Sequence, residues 1–430
     1  MRRILALTSI IVLAAISLMA AAGSASAFSL LDPDTWKWPS YDWKSFSATD
    51  PNSWPFIPVP EVATDPNGGV TYGILPVWLF TDEKDEISSI FAPDINANST
   101  LGPGGNFRYL AYPSSDTNWY VVAGAQEIIA RKVDLDYQTG REHKHWWSLE
   151  ARFYWEKDPT ERFYGLGNHS HQGNQTNYTT NQLYGEAILG WNINEQIQLS
   201  LMERPRRVRI ERGGFNSVPD ITQLFPHQKG LNGGSEVLSQ AMIQYDTRDN
   251  VDIPRSGTLG RLYYGIADRR FGSSSSYNRF GGEFRKYITV GERVTFAGHI
   301  FTEYEPAGNE MPWWSQARLG GQESLLSDQE TLRGYGAGRY IDNNLFVANV
   351  EMRTRVYDRK IFGTHGIFEI APFAEAGRVG HSMGYNPFDD LHPVGGVGFR
   401  GIAEPFVVGF VDLGWGGEGA AIFSGINYPF

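Results

Sequence analysis

From Gly68 to Phe430 the sequence changes character at every second residue, and that period constrains the fold more than any other feature. Leu183, Gly185, Ala187, Leu189 and Trp191 share one face of an extended chain, and Gln182, Tyr184 and Glu186 share the other. Phe346, Ala348, Val350 and Met352 likewise oppose Asn349, Glu351, Arg353 and Arg355. Each such stretch separates two media, one apolar and one wet enough to hold charge. After the extreme N-terminus no apolar run reaches the roughly 18 residues that a spanning helix requires, so a bundle of membrane helices is excluded. A membrane β-barrel is not, because its wall residues face lipid and lumen in turn and its average hydropathy stays modest.

The alternating stretches start at 69–81 and 88–98, include 118–133 as one strand, and finish at 406–415 and 420–430. They number about sixteen, an even count as single-chain bacterial barrels have. The connections 192–195, 290–293 and 403–405 are short, whereas 158–178, 213–236 and 307–342 are long; one of intermediate length surrounds Gly140. Short turns at one end and long loops at the other predict an all-β, transmembrane antiparallel barrel of about sixteen strands, spanning 61–430. At that size a lumen holds water unless something fills it.

Ahead of the barrel, Arg2 and Arg3 precede an apolar stretch and Ala25-Ser26-Ala27, the pattern of a signal peptide over 1–27 that exports the chain. Residues 28–60 form a Trp/Pro-rich lead-in, read as periplasmic or interfacial, whose prolines oppose helix and central strand alike. A formal charge of -11 repels a phosphate backbone and argues against nucleic acid. With no cysteine there is neither a disulfide nor a thiol nucleophile. The pairs His143/His145 and His169/His171 lack further ligands at suitable spacing, and no nucleophile-elbow, P-loop or metalloprotease pattern occurs. The expectation is a protein without catalytic residues, metal or cofactor.

Two further sets of residues carry expectations. Arg204, Arg206, Arg207, Arg209 and Arg212 lie toward the outer end of one strand, where guanidinium groups can contact lipid headgroups such as those of lipopolysaccharide, the alternative being a basic stripe that lines the lumen. Gly73 and Pro76 in the first expected strand, and Gly425 and Pro429 in the last, predict a poorly bonded seam between the barrel's two ends, because proline cannot donate to a ladder. Tyr428 and Phe430 complete the alternation of that final strand, ending on an aromatic residue as outer-membrane proteins typically do.

Arg162-Phe163-Tyr164-Gly165-Leu166-Gly167-Asn168, Tyr245-Asp246-Thr247-Arg248-Asp249-Asn250 with Pro254 and Gly257, and Leu319-Gly320-Gly321 leading to Leu332-Arg333-Gly334-Tyr335 together resemble the bacterial surface antigen barrels of the BamA/TamA type. The resemblance covers nearly everything from Pro55 onward. It implies location in the bacterial outer membrane and a sixth outer loop, here 307–342, folded into the lumen with Arg333, Gly334 and Tyr335 at its tip. It also implies that this arginine meets an acidic residue on the thirteenth strand, in the pattern Phe373, Glu375, Gly377, with Glu where Asp is commoner. The functions implied are insertion or translocation of proteins, or organisation of envelope lipid, through the seam between first and last strands. Partners would be outer-membrane lipids, a client β-barrel, a periplasmic accessory protein or a second copy of the chain. Relatives usually carry periplasmic polypeptide-transport-associated (POTRA) domains, for which 28–60 is too short, so the expectation is a short member of the family. A passive plugged pore or a structural surface antigen is the alternative.

Overall fold

The computed structural model describes residues 36–430 apart from 41–46, 48–53, 55, 84–85, 216, 307–309, 322–329, 362–363, 383–385, 404–406 and 427. The expected signal peptide lies outside the described residues. The wall consists of β1 (Ile57–Asp65), β2 (Gly69–Thr81), β3 (Ile87–Phe91 continued by Asp94–Asn98), β4 (Gly102–Ser114), β5 (Thr117–Gln126) and β6 (Arg131–Thr139). It goes on through β7 (Trp147–Asp158), β8 (Thr176–Asn192), β9 (Ile197–Arg212), β10 (Gly234–Asp246), β11 (Gly257–Ala267) and β12 (Tyr277–Val290). The last third is β13 (Val294–Tyr304), β14 (Asn344–Ile361), β15 (Thr364–Gly380), β16 (His392–Ala403), β17 (Val407–Gly416) and β18 (Gly419–Ile426). Each strand pairs antiparallel with its sequence neighbour, and β18 returns to β1, closing a barrel of 18 strands.

The count corrects the expected sixteen, and both extra strands have a physical origin. Pro58 and Pro60 put the first half of the strand Ile57–Asp65 into the expected lead-in and hid it, yet a strand at the closing edge tolerates residues without an N–H. The barrel therefore begins at Ile57 and not at residue 61. The expected strand 118–133 is two strands joined by the turn 127–130, hidden because Ile128 and Ile129 continue the apolar pattern; Ile129 adopts the left-handed φ of 43°.

Alternation places a band of large apolar side chains on the outside. Ile95, Leu201, Leu262 and Trp191 are 76%, 67%, 64% and 62% exposed, and Leu183, Phe284, Phe296 and Val350 extend the band around the wall. A continuous apolar surface of this extent belongs in hydrocarbon. Long connections gather at one end of the barrel (159–175, 213–233, 305–343), while the opposite end carries short ones, the longest being 247–256. Asp246, Arg248 and Asp249 lie at that turn end, where Arg248 binds the carboxylate of Asp246 and Asp249 accepts from the Arg255 and Ser256 amides; they build a turn.

The described part of the lead-in packs on the outer wall near the turn end. Trp36 contacts Tyr109 and Trp119 at 4.7 and 4.9 Å, and Trp38 meets Phe91 at 5.6 Å. Tyr109 shares a register row with Val121, Leu135 and the outward-facing Phe153, which fixes the side of the wall. Indoles at this height match the aromatic belt of a membrane interface.

Candidate functional site

The connection 305–343 enters the lumen because its own sequence is apolar where it meets the wall. Ala317–Leu319 pairs with Tyr340–Asp342 to form the stem of a finger. Leu319, Leu332, Tyr335 and Tyr340 bury against Leu345, Val347, Phe373, Val379 and Val394. With 18 strands this is the seventh loop at its end rather than the sixth, and its acidic partner lies on the fifteenth strand rather than the thirteenth.

At the finger's tip Arg333 is fully buried. Its Nε donates to Glu375 Oε1 at 2.7 Å and its backbone N–H to Glu375 Oε2 at 2.6 Å. One terminal nitrogen reaches Glu351 at 2.8 Å and Asp412 at 2.5 Å. The guanidinium lies over the Phe373 ring, 3.7 Å from its centroid. Glu375 also accepts from Thr331 and from Asn349. Arg400 bridges Glu351 and Asp412, and Arg353 bonds the second oxygen of Glu351 at 2.9 Å. Three guanidinium groups thus meet three carboxylates, all with fully buried side chains. Such a cluster gives little net stability when complete, but losing one member leaves a charge stranded.

Gly334 and Gly377 have roles set by close approach. A Cβ on Gly334 would stand 2.4 Å from the Gly416 amide nitrogen, so only glycine lets the finger's backbone lie on β17. A Cβ on Gly377 would press on Leu319 of the stem at 3.0 Å. The structure brings together Arg333, Gly334, Tyr335, Phe373, Glu375 and Gly377, the residues the resemblance implied, and adds Arg400 and Asp412, which the sequence reading missed. Their signal was a lone charge in each of the apolar, glycine-rich strands β16 and β17. Shortening the carboxylate in Glu375→Asp should weaken the bonds to Arg333, Thr331 and Asn349 together. A loss of about 2 kcal/mol is expected, read as a lower thermal midpoint of the purified barrel.

The seam differs from its expected composition. Gly73 and Pro76 belong to β2, where Gly73 pairs with Glu61 and Asn96, and Pro76 stands opposite Pro58. The edge strand is β1, with Pro58 and Pro60. Between β1 and β18 the described residues make one register pair, Thr64 with Ile422, reinforced by the Ile422 N–H donating to Thr64 Oγ1 at 2.8 Å. The neighbouring β1–β2 ladder has nine such pairs. Gly425 lies one residue before the end of the wall, pairing with Phe410. Tyr428, Pro429 and Phe430 are not part of the last strand but turn into the lumen. Tyr428 donates to Glu369 at 2.9 Å, Arg353 lies over its ring at 3.6 Å, and Phe430 stacks on His299 at 5.3 Å.

The finger touches both hairpins that flank this seam. Asn67, in the β1–β2 turn, donates to the Ala337 carbonyl at 2.8 Å, and the Gly417 N–H, in the β17–β18 turn, donates to Tyr335 Oη at 2.9 Å. The barrel's two ends are therefore joined at the loop end through the finger as well as through their own short ladder.

The arginines of β9 divide by alternation. Arg204 faces the lumen near Glu186 and Glu236, and Arg206 donates to Gln182 there at 2.8 Å. Arg207 and Arg209 face outward, and Arg212 lies exposed at the strand's end. Lipid contact by the whole set is thereby corrected, since a side chain in the lumen cannot reach the leaflet. Toward the turn end the lumen keeps a polar chamber of about 690 Å³, lined by Glu150, Arg152, Glu186, Arg204, Arg261 and Glu283 and roofed by the finger.

Residues 117–398, nearly two thirds of the sequence, match the family model described as the Omp85 superfamily domain. The chain belongs to the Omp85 superfamily. This Omp85 barrel is similar in fold to CdiB from Escherichia coli, with a TM-score of 0.52 and 12% identity over 86% of this chain and 66% of that one. BamA from Haemophilus ducreyi lacking POTRA domains 1–3 aligns with a TM-score of 0.49 and 12% identity, over 86% of this chain and 75% of that one. CdiB from Acinetobacter baumannii aligns at 0.45 and 10% over 86% and 59%. No curated protein sequence matches the chain. The fold and the family together describe an Omp85-type outer-membrane barrel.

Proposed function

We propose that this Omp85 barrel acts through its seam, parting β1 from β18 so that a client segment is inserted into, or passed across, the outer membrane, and that it does so without catalytic chemistry of its own. The observation that carries this reading is the closing ladder. One described register pair joins β1 to β18, and the finger supplies a bond to each flanking hairpin. A wall held by full ladders elsewhere and by so little at one line separates there at the lowest cost, since each backbone bond contributes only about 0.5–1.5 kcal/mol net. The client is a β-barrel or secreted chain delivered by a separate periplasmic partner, with a second copy of the chain as the other candidate neighbour. A passive, plugged pore is the second reading, supported by the polar chamber beneath the finger.

The test uses Thr64→Cys with Ile422→Cys. The chain has no cysteine, so only one disulfide can form within a single copy of the double variant. Directly opposed antiparallel residues have Cα atoms about 4.5–5.5 Å apart, within reach of a disulfide. Depletion first identifies which envelope component accumulates abnormally. The reduced double variant is expected to restore that component, and the oxidised one to fail. Full restoration by completely crosslinked protein would reject the seam mechanism and leave the pore.

A further inference from the structure

The geometry points to a binding site for a phosphorylated lipid headgroup on the outward face of β6 to β9 at the loop end. It rests on membrane residence but not on any movement of the seam, so it stands or falls separately from the proposed function.

Arg131, Lys157, Asn181 and Arg209 occupy one row across four adjacent strands, each in register with the next. Strand spacing makes that row about 14 Å long. Arg207 faces the same way, two residues nearer the membrane's centre, in register with Leu183, which in turn pairs with Trp155. Four cations therefore rim the apolar band at the height where headgroups meet hydrocarbon. Of the carboxylates on this face, Glu211 is engaged by Lys157 at 2.7 Å and by Asn181 at 3.2 Å, and Glu203 lies farther down β9, bonded to Ser239. Four cations against Glu211 leave three positive charges on this part of a protein whose formal charge is -11.

That arrangement selects an anion, and its position selects the source. Guanidinium groups bind phosphate oxygens in pairs and keep their charge at any physiological pH. A soluble anion would need no apolar floor, whereas Trp155 and Leu183 beside the row offer contact to an acyl chain. A glycolipid bearing more than one phosphate matches a row of this length better than a single phosphate does. Arg204 and Arg206, which sequence alone grouped with these residues, have no part in it. Arg131 and Lys157 come from strands 50 or more residues away in sequence, and only the register brings them together.

The full-length protein in detergent micelles, mixed with bisphosphorylated lipid A or with the same lipid stripped of phosphate, provides the test, with retained lipid counted by native mass spectrometry. The wild type is expected to favour the phosphorylated form roughly tenfold, and Arg207→Gln with Arg209→Gln to lose that preference. Arg207→Lys with Arg209→Lys should fall between, keeping charge but not the two-pronged geometry. Lys286→Gln, an outward cation toward the turn end, should behave as wild type. Both arginine positions are exposed, so unchanged thermal mobility on a gel verifies folding. Equal retention of the two lipids by wild type, or full retention by the double glutamine variant, overturns the site. Displacement of the lipid by millimolar inorganic phosphate would show a row that reads phosphate from water and would overturn the membrane assignment.

Discussion

Replacing Arg333 with methionine is expected to lower the barrel's stability by about 3–5 kcal/mol, the cost of stranding a buried charge. Methionine fills much of the volume and leaves the finger's apolar contacts with Val347, Phe373 and Val394 in place. What it removes is the cation whose Nε donates to Glu375 Oε1, and one of the partners of Glu351 and Asp412. Arg353 and Arg400 remain, but neither is bonded to Glu375. Glu375 is then left with Thr331, Asn349 and the backbone N–H of residue 333, three neutral donors against a full charge sealed from water. The midpoint of the heat-induced mobility shift should fall by about 10 °C. Arg269→Met, which breaks the exposed pair with Glu310, should cost under about 1 kcal/mol and serves as the control. Adding Glu375→Gln to Arg333→Met removes the stranded charge and should recover part of the loss, as a coupled pair must. A variant Arg333→Met that melts with the control would mean that water reaches the cluster and that the network contributes little.

How much of this was legible before the structure follows from what alternation can and cannot report. It states which residues share a face, so the outward band around Leu183 and Trp191 and the inward charges Glu351 and Arg353 were evident from period two alone. It does not state which strands are neighbours across a loop, so the lone charges Arg400 and Asp412, brought to the Arg333 cluster by a finger roughly 70 to 80 residues distant, carried no mark of the partner they would meet. The strand count failed where local chemistry imitated something else. Prolines at Pro58 and Pro60 mimicked a linker, and Ile128 and Ile129 mimicked a strand's continuation. The seam residues inherited that error, since missing β1 promoted β2 to the edge. The arginines of β9 show the same limit from the other side: five cations in nine residues looked like one patch, and parity divides them between two media.

Deleting 322–338 should raise the ionic conductance of the purified barrel roughly tenfold, because a wall of 16 to 18 strands encloses an aqueous channel unless its lumen is filled. The deletion takes Arg333 with it, yet its effect on stability should be smaller than that of Arg333→Met. With the finger gone, water enters from the chamber below and solvates Glu351, Glu375 and Asp412, whereas in the point variant the finger still seals them. Three carboxylates would then face Arg353 and Arg400, so the opened channel should prefer cations, measurable as a reversal potential under a salt gradient. The same deletion removes the Tyr335 and Ala337 contacts to the hairpins flanking the seam. A seam-based machine should therefore lose the activity that depletion reveals while its conductance rises, and a passive pore should gain conductance and keep its activity. Conductance equal to wild type would mean that something other than the finger closes the lumen, and Tyr428 to Phe430, folded against Arg353 and His299, are the residues then to remove.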